Sequence, residues 1–185
     1  MPDTSAEQSR ALEGFLASVE RSAFRMAQIA LRHEQDALDA VQDSMLQLVR
    51  SYARRPAAQW KPLFYRILEN RVRDLQRRRS VRERVMAWVP WRGEAEDADT
   101  DPVAQAPDPG PQPAAQLESQ QMLAALEAAL HALPARQRQA FLLRNLQGLD
   151  VAGTAAAMGC SEGSVKTHYF RALQALRTQL GPEWQ

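Results

Sequence analysis

The chain has 185 residues, with 23 Lys and Arg against 22 Asp and Glu and a single cysteine. One Cys excludes a disulfide framework and a thiolate metal cluster, and His33, His131 and His168 are scattered without ligand spacing. No apolar run reaches the roughly 20 residues of a membrane span, and Met1-Pro2-Asp3-Thr4-Ser5 does not open a signal peptide, so a cytoplasmic protein without cofactor, metal or membrane insertion is expected. The net charge of +1 hides a sorting along the chain: residues 1–92 carry +6, residues 93–116 carry −6 and residues 117–185 carry +1. Such blocks are a stronger prior than their total.

In chain order, Leu12, Phe15, Leu16, Val19, Ala23, Met26 and Ala27 recur at helical spacing and predict a first amphipathic helix. Leu38, Val41, Met45, Leu48, Val49 and Tyr52 predict a second, ending near Arg55-Pro56 because the residue before Pro avoids the α region. Phe64, Ile67, Leu68, Val72 and Leu75 predict a third, with Pro62 in its first turn. Residues 93–116 hold five of the eleven Pro, six acids and no base. That composition cannot bury enough apolar surface to offset its ordering entropy, and it predicts a flexible acidic linker. Beyond it, Leu117, Leu123, Leu126, Leu130 and Leu133 form a stripe stopped at Pro134. A short helix around Phe141–Leu146 follows, with Gly148 as its stop. Asp150 is a candidate N-cap for a helix over 151–158, and a turn at Gly159-Cys160-Ser161 leads into a longer helix to about Leu180.

That last unit is a helix-turn-helix pattern, or else an ordinary helical hairpin. A recognition helix needs polar donors on its outer face, and Ser161, Ser164, Lys166, Thr167, His168 and Arg171 supply them. The same stretch matches G-x-S-x-G at Gly159–Gly163, but the nucleophile elbow needs a preceding strand and acid and His partners downstream. An Ala-rich helix precedes Ser161 and the one acid beyond Glu162 is Glu183, so Ser161 reads as a helix cap and the chain is not expected to be an enzyme. Residues 60–84 contain eight Arg, with Trp60, Phe64 and Tyr65 at one end. Such a run is either a solvated helix face or a surface on which Arg holds phosphates and aromatics stack on unpaired bases. Asp36, Asp39 and Asp43, with Gln42 beside them, share the polar side of the second helix; a solvated face, a metal site and a protein-docking face all fit this pattern.

Taken in order, these blocks resemble the extracytoplasmic-function (ECF) subfamily of bacterial RNA polymerase sigma factors over roughly residues 12–80 and 117–180. Asp36-Ala37-Leu38-Asp39-Ala40-Val41-Gln42-Asp43 is similar to the family's core-docking helix. Tyr65-Arg66-Ile67-Leu68-Glu69-Asn70, continuing to Asp74 and Arg77-Arg78, is similar to its promoter-opening helix. Leu133-Pro134-Ala135-Arg136-Gln137-Arg138, Phe141–Arg144, Gly148-Leu149 and Ser161–Thr167 resemble its upstream-element reader.

The resemblance implies an all-α fold: two small helical domains, 1–92 and 117–185, joined by the linker 93–116, the second a helix-turn-helix (winged-helix-like) DNA-binding domain. It implies that Asp36, Asp39, Gln42 and Asp43 dock on core RNA polymerase. Trp60, Tyr65, Arg66, Asn70, Arg73, Arg77 and Arg78 would capture the opened minus-ten strand, with Asn70 next to a flipped base. Ser161, Ser164, Lys166, Thr167, His168 and Arg171 would read the minus-thirty-five element as duplex. The linker would thread the polymerase's RNA channel, and an anti-sigma factor is an expected partner. Leu63, Gly153 and His168 depart from the family's usual Trp, charged residue and Arg. The alternative is a helix-turn-helix regulator that acts on duplex DNA without polymerase.

Overall fold

The structure is a computed structural model that describes residues 4–88 and 114–181. Among the described residues are seven helices and no strand or β wing: α1 (Thr4–Leu31), α2 (Glu34–Tyr52), α3 (Ala57–Trp88), α4 (Ala114–Ala132), α5 (Ala135–Asn145), α6 (Val151–Met158) and α7 (Glu162–Leu180). The first three pack on one another, and α5, α6 and α7 pack together with α4 against α7. The linker expected over 93–116 lies outside the described residues as far as 113, and its last three residues belong to α4. Trp91 lies outside them too.

The periodic stripes account for the core of the first domain. Leu12, Val19, Ala23, Met26 and Ala27 of α1 are buried against Val41 and Leu48 of α2 and Phe64, Leu68 and Val72 of α3. Each large side chain removed from water contributes about 1.5–3 kcal/mol. The sharp turn between α1 and α2 comes from Arg32, which takes a positive φ of 54°, followed by His33, whose Nδ1 accepts from the Asp36 amide at 3.1 Å and caps α2.

Two expectations need correction. The stripe of α2 splits: Val41 and Leu48 are buried, whereas Leu38 and Val49 stand exposed. Pro62 is not in a first turn but sits inside α3, which begins at Ala57 after Pro56. The amide that Pro62 lacks would have met the carbonyl of Ala58, an exposed residue whose carbonyl water can satisfy.

In the second domain the punctuation residues act where they stand. Past α5, Gly148 takes φ +62° and the Leu149 amide reaches back to the Leu143 carbonyl at 3.0 Å. Asp150 caps α6, its Oδ1 accepting from the Gly153 amide at 2.6 Å. Gly159 ends α6 in the left-handed conformation, where a Cβ would be strained. Ser161 caps α7, its Oγ accepting from the Ser164 amide at 3.2 Å. Three Arg of α5 spend their guanidiniums on backbone carbonyls: Arg136 on Met158 (2.8 Å), Arg138 on His131 (3.1 Å) and Arg144 on Leu149 (2.5 Å). The first ties the end of α6 to α5, the second ties α5 to the end of α4, and the third holds the turn before α6.

Candidate nucleic-acid and polymerase interface

Helix α7 carries the residues expected to read duplex DNA. Val165, Ala172 and Leu176 anchor its inner face, so Lys166, Thr167 and Arg171 point to solvent. Ser161 and Ser164 are less available, since their hydroxyls bond each other at 2.9 Å. His168 is half-buried. The structure adds a residue that sequence reasoning passed over. Phe170 is 60% exposed, one position before Arg171 and on the same side as Thr167 and Gln174. An exposed aromatic on an otherwise polar outer face was a signal available in the sequence. In a major groove such a ring suits the thymine methyl group.

Helix α3 carries the second surface, and here the structure divides the expected set. Arg66, Asn70, Arg73 and Arg77, spaced i, i+4, i+7 and i+11, form one exposed stripe, with Arg78 exposed beside it. Arg77 is paired loosely with Asp74 at 3.7 Å, leaving most of its guanidinium in water. Trp60 and Tyr65 are not on that stripe. Trp60 is 2% exposed, with its ring 5.9 Å from Phe15 and its indole N–H without a partner among the described residues. Phe64 is equally buried, edge-on to Phe15 at 6.2 Å and to Tyr65 at 5.2 Å. Trp60, Phe64 and Leu68 follow one another at i, i+4 and i+8, so core packing claims the rings that a stacking platform would need.

Tyr65 is fully buried for a different reason. Its hydroxyl donates to Gln147 Oε1 from the second domain and lies 3.4 Å from Ser22 Oγ. Burial pushes its pKa up to about 12, with the Ser22 contact working against that rise. One turn on, Glu69 faces Arg73, Arg136 and Arg138. Burial raises its carboxyl to about 7, and the three guanidiniums hold it from going higher.

On α2, Asp39, Gln42 and Asp43 are exposed and Asp36 is half-buried beside its cap His33. Asp39 accepts from Gln35 at 3.1 Å, and Asp43 lies 4.0 Å from Arg71 of α3. With exposed Leu38, Leu46 and Val49 they make a mixed acidic and apolar face. Among the described residues no group of His, Cys, Asp and Glu could hold a metal ion, and no helix is long and apolar enough to cross a membrane.

Seven helices among the described residues, with a capped helix-turn-helix and a separate Arg-striped helix, define a helix-turn-helix nucleic-acid-binding protein. Residues 123–176 match the family model for sigma-70, region 4. The chain is 32% identical over 162 residues to the ECF RNA polymerase sigma factor SigM of Mycobacterium tuberculosis, covering 87% of this chain and 72% of that one. It is 32% identical over 158 residues to the ECF RNA polymerase sigma factor SigE of Mycolicibacterium smegmatis, covering 85% and 56%. In fold it is similar to the sigma factor RpoE of Bartonella quintana in complex with the anti-sigma factor NepR, with a TM-score of 0.58 at 23% identity over 97% and 98% of the two chains. It is similar also to CnrH in complex with the cytosolic domain of CnrY, with a TM-score of 0.59 at 23% identity over 95% and 94%. The chain belongs to the ECF RNA polymerase sigma factors, proteins that direct transcription.

Proposed function

We propose that this chain is the promoter-recognition subunit of a cytoplasmic RNA polymerase holoenzyme and has no catalytic activity of its own. The observation that carries the reading is the outer face of α7. A helix capped by Ser161 and anchored by Val165 and Ala172 holds Lys166, Thr167, Phe170 and Arg171 in solvent, inside the segment that matches sigma-70 region 4. Lys166 and Arg171 are donors for base edges or phosphates of a minus-thirty-five duplex, with Ser161, Ser164, Thr167 and His168 around them.

The stripe Arg66–Asn70–Arg73–Arg77, with Arg78, is suited to hold the displaced minus-ten strand. In this reading Trp60 supports the stripe from the core, and Tyr65 contacts DNA only when the second domain is away from it. Asp36, Asp39, Gln42 and Asp43 dock on core polymerase, and an anti-sigma factor masks the chain when its regulon is silent.

The test is reconstitution. Core polymerase, this protein and DNA from promoters mapped after its overproduction should give strand opening and a transcript. Tight binding to a specific duplex without polymerase, and no co-purification with core, would instead mark a polymerase-independent regulator.

A further inference from the structure

Where α5 meets α3 and the end of α1 there is a cavity of about 80 Å³. Buried Val72 and Leu142 give it an apolar lining, and the rest of its character is ionic. Arg73 of α3 and Arg136 and Arg138 of α5 line it together with Glu69, one turn before Arg73. Among the described residues no ion pair joins any of these three Arg to an acid. Gln139 stands in the same wall and is 4% exposed. Its Oε1 accepts from Arg136 Nη1 at 3.3 Å, and its Nε2 has no hydrogen-bond partner among the described residues.

A buried amide nitrogen without an acceptor is costly, and guanidiniums cannot shed their charge to relieve one another. An anion rich in acceptor oxygens answers both conditions. We propose that this cavity is a binding site for inorganic phosphate, gripped by Arg73, Arg136 and Arg138, receiving the Gln139 amide and sharing its proton with Glu69. Arg136 and Arg138 each commit Nη1 to a backbone carbonyl, of Met158 and of His131, which leaves their other N–H groups for the ion. The size agrees, since about 80 Å³ is the share of two or three waters at about 30 Å³ each. One small ion fits in that space and a nucleoside does not.

Glu69 sets which oxyanion binds. An ionised carboxyl only accepts hydrogen bonds, whereas a protonated one donates. Inorganic phosphate keeps one O–H at about pH 8 and donates it to the Glu69 carboxylate. Sulfate has no proton to give, and a phosphomonoester has lost its last one by that pH. Both bind well only where Glu69 is protonated and donates to them. Burial raises that carboxyl to about 7 against the pull of Arg73, Arg138 and Arg136. The remaining titratable neighbour is His131 of α4, which burial, Arg32 and Arg138 push down. Affinity for sulfate therefore falls as pH rises through about 7, while affinity for phosphate persists.

The test is calorimetric titration of the full chain, purified without phosphate, with inorganic phosphate, sulfate and ribose 5-phosphate. At about pH 8 phosphate should bind saturably and the other two at least about tenfold more weakly, and at about pH 6 the gap should close. Glu69→Gln, whose amide donates at any pH, should level the three ligands at about pH 8. Gln139→Met should weaken phosphate about tenfold without lowering the melting temperature in phosphate-free buffer. Arg73→Gln, at an exposed position, should weaken it as much with helical circular dichroism unchanged. Three results would overturn the site. One is no saturable phosphate binding, the case in which water alone fills the cavity. The others are parental affinity in either the Gln139 or the Arg73 variant, and equal affinity of the wild type for all three ligands at about pH 8.

Discussion

Ser161 stands in a nucleophile-elbow pattern, yet its hydroxyl accepts from the Ser164 amide at the head of a helix that follows another helix. Its role is to satisfy an orphan donor. Ser161→Ala should therefore lower stability by about 1 kcal/mol in thermal or urea unfolding and leave any esterase background unaltered. Lys166 and Arg171, by contrast, are exposed. Replacing either by Ala should cost minus-thirty-five-dependent transcription about 1–3 kcal/mol if a base edge is contacted, with the melting temperature unmoved. Phe170→Ala belongs to the same experiment. Loss of discrimination at a single thymine is the expected result, and unchanged preference in all three variants would show that α7 does not read bases.

For the elements, α2 is the informative case. Its apolar stripe is wider than the core can use, since α1 and α3 cover Val41 and Leu48 and leave Leu38, Leu46 and Val49 in water beside Asp39, Gln42 and Asp43. A patch of apolar residues rimmed by charge is how a protein-docking face looks. Reversing its sign with Asp39→Arg and Asp43→Arg should abolish co-elution with core polymerase. Both carboxylates are exposed, and the longer contact of the two, Asp43 to Arg71, is 4.0 Å, so the helical circular dichroism should be unchanged. Retained co-elution would place the docking face elsewhere. On α3 the balance runs the other way. Eight Arg are visible in the sequence at once, but the division between a solvent-facing stripe and a core-facing row of Trp60, Phe64 and Leu68 follows from which neighbours α1 and α2 place beside them.

In the molecule as a whole, Glu69 makes stability sensitive to pH. Its carboxyl is raised from 4.5 to about 7 by burial, with Arg73, Arg136 and Arg138 moderating the rise. The folded state then holds a proton that the unfolded state releases, so this contribution to stability is fully present below about pH 4.5, weakens as pH rises toward 7, and levels off above. His131 acts in the opposite sense, because burial, Arg32 and Arg138 push its imidazole down and protonation opposes folding at low pH. The measurement is therefore a difference between wild type and Glu69→Gln in urea unfolding at about pH 5 and about pH 8. Wild type should lose stability toward the higher pH relative to the variant, and parallel profiles would show that Glu69 does not titrate in the folded chain.

What could be read without a structure was everything encoded locally. Most of the helix periodicity, the caps Asp150 and Ser161 and the turn that begins at Gly159 each depend on residues a few positions apart, and these stand in the structure where they were expected. Pro62 misled because a proline is tolerated inside a helix when the carbonyl it strands lies in water. The family motifs were legible as well, being strings of residues in order. The partners of individual side chains were not legible, because they come from distant parts of the chain. Tyr65 resembled a stacking platform until Gln147, 82 residues away, met its hydroxyl, and Trp60 until Phe15 covered its ring. The sequence by itself determined which helices form, how they are punctuated and which family they compose. Only the tertiary structure decided which aromatic rings face water and which polar groups hold the domains together, because burial is set by whatever long-range packing brings alongside.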